Sequence, residues 1–147
     1  RGGAPRACYV GIEPSGPAVP GAARPLRALC VLPFGQEEGS ELEIPSAEFG
    51  LVVGEPARFR FFTSAVRKQD RPGTLLAGWA EGELVETDAL ETTLPRSAGA
   101  AEELLPVRFR SALTELGLFE LWCESTLSAE RWKLGFSLRE EAGGRRP

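Results

Sequence analysis

The stretch LLPVRFRSALTELGLFELWCESTLSAERWKLGFSLR, residues 104–139, decides the fold class. Within it Val107, Phe109 and Ser111 alternate with Arg108, Arg110 and Ala112, the period of two that sends successive side chains to opposite faces of a strand. Thr114-Glu115-Leu116-Gly117 then supplies a turn, its glycine free to take a positive φ, into a second apolar strand over 118–123. The pair reads as a hairpin. Farther on, Trp132, Leu134, Phe136 and Leu138 share one face while Arg131, Lys133, Ser137 and Arg139 share the other. A strand that is apolar on one side must bury that side against another layer, so the pattern calls for two packed sheets.

The same signals recur toward the N-terminus. Residues 7–12 and 26–32 are short apolar runs, Leu42 and Ile44 alternate with Glu41 and Glu43, and 49–53 is again apolar. Ala57, Phe59 and Phe61 alternate with Arg58 and Arg60, and Phe62 breaks the alternation, marking a bulge or a second, less solvated sheet face. Pro14, Pro17, Pro20 and Pro25 exclude ladder and helix from 13–25, which reads as a stiff exposed loop. Residues 67–73 form a charged loop, 74–91 reads either as short strands or as a helical turn, and 97–103 is a small-residue loop. The expectation is an all-β domain over 7–140, a two-layer antiparallel β-sandwich of about seven or eight strands with a closed barrel as the alternative, between flexible termini at 1–6 and 141–147.

At 147 residues, 42% apolar and 26% charged, the chain has enough material for one core. No apolar run approaches the ~20 residues of a membrane span, so no membrane partner is expected. A net charge of −4 offers no global attraction to phosphate backbones, so nucleic acid is not expected either. Cys8, Cys30 and Cys123 are scattered and odd in number, which points to a reducing, cytoplasmic setting rather than to a disulfide framework or zinc ribbon. With no methionine and a Gly/Arg-rich end, the chain reads as a piece of something longer.

Candidate chemistry is sparse. The absence of histidine removes Ser-His-Asp and Cys-His catalysis. Glycine never falls in a phosphate-cradling spacing, and acids such as Glu37, Glu38, Glu41 and Glu43 sit beside turns or on polar strand faces rather than as a catalytic pair. Cys30 and Cys123, inside apolar strands, read as buried inert thiols. No enzyme activity or cofactor is therefore assigned. If the strands bearing Arg58, Arg60, Arg108 and Arg110 pair, one face carries a positive stripe suited to an acidic partner. Trp79, Trp122 and Trp132 would make a sugar platform only if two of them were exposed together.

An ordered series of short motifs adds a family reading. Gly11-Ile12-Glu13, Val31-Leu32-Pro33 and Ile44-Pro45 resemble the opening of the substrate-binding β-sandwich of DnaK-type (seventy-kilodalton heat-shock) chaperones. Leu104-Leu105-Pro106-Val107-Arg108-Phe109 and Thr114-Glu115-Leu116-Gly117-Leu118-Phe119-Glu120-Leu121 resemble that family's Pro-x-Ile-x-Val-x-Phe strand and Asp-x-x-Gly-Ile-Leu hairpin. The resemblance implies a module that holds an extended, apolar polypeptide in a loop-lined cleft. It also implies an ATP-binding domain upstream, to which the sandwich docks, and a helical lid downstream. Ile12 matches a cleft-lining position, with Leu26, Phe49, Leu51 and Val53 as further candidates. Three departures fall at the functional end: Pro14 to Pro25 replaces a tight glycine turn, Ser46 to Pro56 is shorter than its counterpart, and Arg71 to Leu94 is expanded. A sandwich that docks its ATPase domain or an acidic partner without holding clients is the alternative.

Overall fold

The computed structural model describes residues 2–12, 26–95 and 104–134. Twelve strands lie among them: β1 (Ala7–Ile12), β2 (Arg27–Leu32), β3 (Ser40–Glu43), β4 (Phe49–Val52), β5 (Pro56–Phe59), β6 (Phe61–Ser64), β7 (Leu75–Leu76), β8 (Val85–Glu86), β9 (Leu90–Thr93), β10 (Leu104–Leu113), β11 (Phe119–Ser125) and β12 (Arg131–Lys133). No helix occurs among the described residues, so none is long and apolar enough to cross a membrane. Every strand pairing is antiparallel.

The first sheet runs β7-β2-β1-β6-β8 and the second β12-β11-β10-β3, with β4 also on β10 and β5-β9 forming a separate ladder. The count exceeds the seven or eight strands expected because several are fragments. Strands β3 and β4 lie end to end along one edge of β10, β5 runs on into β6 past Arg60, and β7 and β8 have two residues each. The predicted hairpin is present, with Gly117 at φ 83° between β10 and β11.

Between the sheets, Val10, Leu29, Val31 and Phe61 meet Val107, Phe109, Phe119, Leu121 and Cys123, all buried. Each such large apolar side chain contributes about 1.5–3 kcal/mol on burial. The alternate residues of the first sheet enter a second core. Ala7, Tyr9, Ala28, Cys30 and Phe62 pack under Leu76 and Leu84, with Phe34 and Trp79 alongside. The first sheet is thus covered on both faces, which is why β1 and β2 read as unbroken apolar runs and why Phe62 breaks the alternation. The cover is the segment 65–84, held by polar ties. The Tyr9 hydroxyl donates to Asp70 at 2.6 Å, and Arg67 grips the same carboxylate at 2.6 and 3.2 Å while reaching Glu83 at 3.1 Å.

Two joints lock the edges. In the segment expected as a flexible terminus, Gly3 bridges Glu37, the Ala4 amide donates to the Gln36 carbonyl, and Ala4 is buried. At the turn before β7, Gly73 donates to the Cys30 carbonyl and sits at φ 91°, where a Cβ would lie 2.1 Å from the carbonyl oxygen of Pro45. Only glycine allows that approach.

Candidate functional site

From Glu43 to Phe49 the chain advances six residues while β10 moves three, from Arg110 to Val107. The surplus, around Ser46 to Glu48, leaves the ladder, and the Arg108 guanidinium donates to the Ser46 carbonyl at 3.2 Å. Beyond this break β4 rejoins β10, then turns through Gly54 into β5, which pairs with β9 and not with β4. The divergence of β4 from β5 opens a cleft of about 990 Å³ at this end of the sandwich. Val10, Gly11 and Ile12 of β1 form one wall with β5, Phe49 to Leu51 form the other, and Val107 and Phe109 lie beneath. The Phe49 and Phe109 rings stand 5.8 Å apart, tilted by 45°.

The backbone of β4 has a defined orientation. Pro106 has no N–H, and its carbonyl accepts the Thr126 amide on the β11 side. Its neighbours in β10 therefore turn toward β3 and β4, as the Ile44 amide bonded to the Phe109 carbonyl confirms. Opposite Leu105 and Val107, Leu51 and Phe49 spend their peptide groups on β10. Gly50 and Val52 direct theirs to the other edge, where no described strand pairs.

Of the five residues singled out from sequence, the cleft brings together Ile12, Phe49 and Leu51. Leu26 instead packs beside the second core, and Val53 is wholly buried in the main one, so neither lines the cleft. Reading Leu51 and Val53 as equivalent missed that the chain turns at Gly54 directly after Val53. Sequence reasoning also missed Val10, Phe59, Val107 and Phe109 as lining residues. Their inward alternation was visible, but nothing local shows that the sheets part beside them.

The cleft rim is charged. Arg27, Arg58 and Arg60 line it on the side of the first sheet and β5, Glu48 on the side of β4. Arg60 forks onto Glu86 at 2.8 and 2.9 Å, which holds that carboxyl below its ordinary pKa. Arg58 stands 3.6 Å from Glu91 with both side chains well exposed. Arg27 is exposed and has no ion pair among the described residues.

The expected four-arginine stripe does not form, because β5 pairs with β9 and β10 with β3, β4 and β11. Arg110 is faced by Glu124 at 3.0 Å and by Glu43 and Glu41 at 3.7 and 3.8 Å. Nor do the tryptophans assemble: Trp122 lies under Arg131, Trp132 is buried with its indole N–H on the Pro95 carbonyl, and Trp79 packs against Phe62 at a tilt of 59°. All three thiols are buried, and burial pushes Cys30 and Cys123 up to about 12. Among the described residues no group of three or more His, Cys, Asp or Glu is placed to hold a metal ion.

No protein-family model, no curated protein and no solved structure matches the chain.

Proposed function

We propose that this chain is a non-catalytic polypeptide-binding sandwich in which an extended segment adds to the outer edge of β4 and sets alternate side chains into the cleft. The observation that carries this reading is the coincidence of an apolar cleft with outward peptide groups at Gly50 and Val52. Other edges are guarded. Strands β7 and β8 are too short to template a partner, and β12 carries Arg131 and Lys133. In β4 the sequence is Phe-Gly-Leu-Val, without charge or proline.

Magnitudes say what the ligand must contain. Four outward backbone groups contribute about 2–6 kcal/mol at ~0.5–1.5 each, no more than the ~4–15 kcal/mol cost of association. Apolar side chains beside Ile12, Phe49 and Leu51, at ~1.5–3 kcal/mol each, must supply the surplus. An extended apolar peptide meets both needs. The role agrees with the one implied by the resemblance to DnaK-type substrate domains, which would make a docked ATPase domain the second partner.

Fluorescence anisotropy with labelled apolar heptapeptides tests the reading. Methylating alternate backbone nitrogens should abolish binding for one set of positions and spare it for the other, because only every second amide faces β4. Equal affinity for the two sets would exclude strand addition. No saturable binding up to millimolar peptide would exclude the cleft as a peptide site altogether.

A further inference from the structure

The cleft and the cover of the second core share a strand. The two leucines of β7 lie on opposite faces of the first sheet. Leu75, paired with Leu29, is on the inter-sheet side and lines the cleft, whereas Leu76, paired with Ala28, enters the second core. Just before them Gly73 fits against the carbonyl of Pro45, next to the looped residues that lead into β4. Residues 73–76 thus belong to the cover, yet they reach the first-sheet side of the cleft through Leu75 and the root of the β4 wall through Gly73. The cover itself is lightly anchored. Of residues 65–84 only Leu76 and Leu84 are buried, and the one strand there is the two-residue β7. The other ties to the sheet include the Tyr9 to Asp70 hydrogen bond and the backbone bonds joining Gly73 and Thr74 to Cys30. Segments with so few buried apolar contacts open at a lower free energy than the fold as a whole.

Resting on the peptide-binding reading above, we infer that the cover is a regulatory strap, which opens as a unit while the main core stays folded and which a peptide in the cleft holds shut through β7. Lifting 65–84 from the sheet withdraws Leu75 from the cleft and takes Gly73 away from Pro45. The open form therefore has an incomplete cleft and a lower affinity for peptide. The coupling is reciprocal: a bound peptide fastens the strap, and whatever loosens the strap loosens the grip on peptide.

The buried thiols report the two cores separately. Cys30 lies in the second core under the cover, opposite Tyr9 in the ladder, whereas Cys8 and Cys123 lie in the main core. The test is alkylation with iodoacetamide, each cysteine quantified by peptide mass mapping and the rate kept proportional to reagent. Cys30 should react at least about tenfold faster than Cys8 and Cys123, because it needs the cover alone to open. A saturating apolar heptapeptide should slow Cys30 by about five- to 150-fold, the usual range of coupling between two sites. Leu75→Ala changes a side chain that is 41% exposed and leaves both cores filled, which thermal unfolding would verify. At peptide saturation this variant should lose most of the slowing.

Equal rates for the three thiols would overturn the strap, since the cover would then open only with the whole fold. An unchanged Cys30 rate at saturating peptide, with binding visible by anisotropy, would overturn the coupling while leaving the cleft as a peptide site. Full slowing in Leu75→Ala would overturn the route through β7. Failure of every peptide to bind would overturn the cleft reading, and this inference with it.

Discussion

The phenol of Tyr9, in the middle strand of the first sheet, donates a 2.6 Å hydrogen bond to the carboxylate of Asp70, 61 residues farther along the chain. Tyr9 has no exposed surface, so its hydroxyl has no water to fall back on and depends on this acceptor. The bond fastens the covering segment to the sheet it covers.

Removing that hydroxyl should be costly. Tyr9→Phe is expected to lower unfolding free energy by about 1.5–3 kcal/mol, the range for a hydrogen bond to a charged group. Asp70→Asn should cost a similar amount, and the double variant less than the two together, because both changes break one contact. Urea unfolding of the four proteins measures this directly.

The same site sets a pH dependence. Hydrogen bonds from Arg67, joined by the one from Tyr9, hold the Asp70 carboxyl below its ordinary value, and Arg60 does the same for Glu86. The unfolded chain therefore takes up protons at higher pH than the folded one. The stabilisation is complete above the ordinary carboxylate range near 4 and is lost as pH falls through it toward the depressed values. Denaturant midpoints between pH 7 and pH 2 should show this acid slope, and Asp70→Asn should flatten it. At the alkaline end the sign reverses: burial raises Tyr9 and brings Cys30 to about 12, so stability is complete below their ordinary values of 10.0 and 9.0 and declines above them.

Two glycines at similar backbone angles should respond differently to alanine. Gly35, at φ 82°, has nothing within 4 Å of a Cβ, so Gly35→Ala meets only conformational strain of about 1–2 kcal/mol. Gly73 adds a collision with the Pro45 carbonyl, and Gly73→Ala should cost about 3 kcal/mol or more. A clearly larger drop in melting temperature for Gly73→Ala is the expected result; equal drops would refute the tight joint.

Gly50→Pro separates the gripping edge from the scaffold. The Gly50 amide points away from β10, so its loss leaves the β4-β10 ladder intact, and a Cβ there meets the Leu104 side chain, Cγ at 3.0 Å and its methyls at 3.1 and 3.2 Å, which is exposed and can swing aside. Heptapeptide affinity should fall at least about fivefold while the melting temperature changes little. Unchanged affinity would mean that bound peptides do not hydrogen-bond to this edge.

Strand β10 was legible because one of its faces meets solvent, so Val107, Phe109 and Arg108 alternate in the open. Residues 74–91 were not, since β7 and β8 are too short to display any period and are fixed by contacts such as Leu76 and Leu84 on the second core. The cleft was half legible. Ile12, Phe49 and Leu51 were found by family resemblance, whereas the opening of the cleft depends on β5 leaving β4 for β9, a long-range choice that no local pattern encodes. Residues 13–25 and 97–103, read as loops, and Phe136 and Leu138, read as core, lie outside the described residues.

The break between β3 and β4 gives the molecule slack. Pairing on the β3 side is set by Arg110 opposite Glu43, and on the β4 side by Val107 opposite Phe49, with the looped residues carrying no register of their own. Residues could be added or lost between Ser46 and Glu48 without shifting either ladder, so the length of the gripping wall can drift over evolutionary time while the sandwich beneath it keeps its frame.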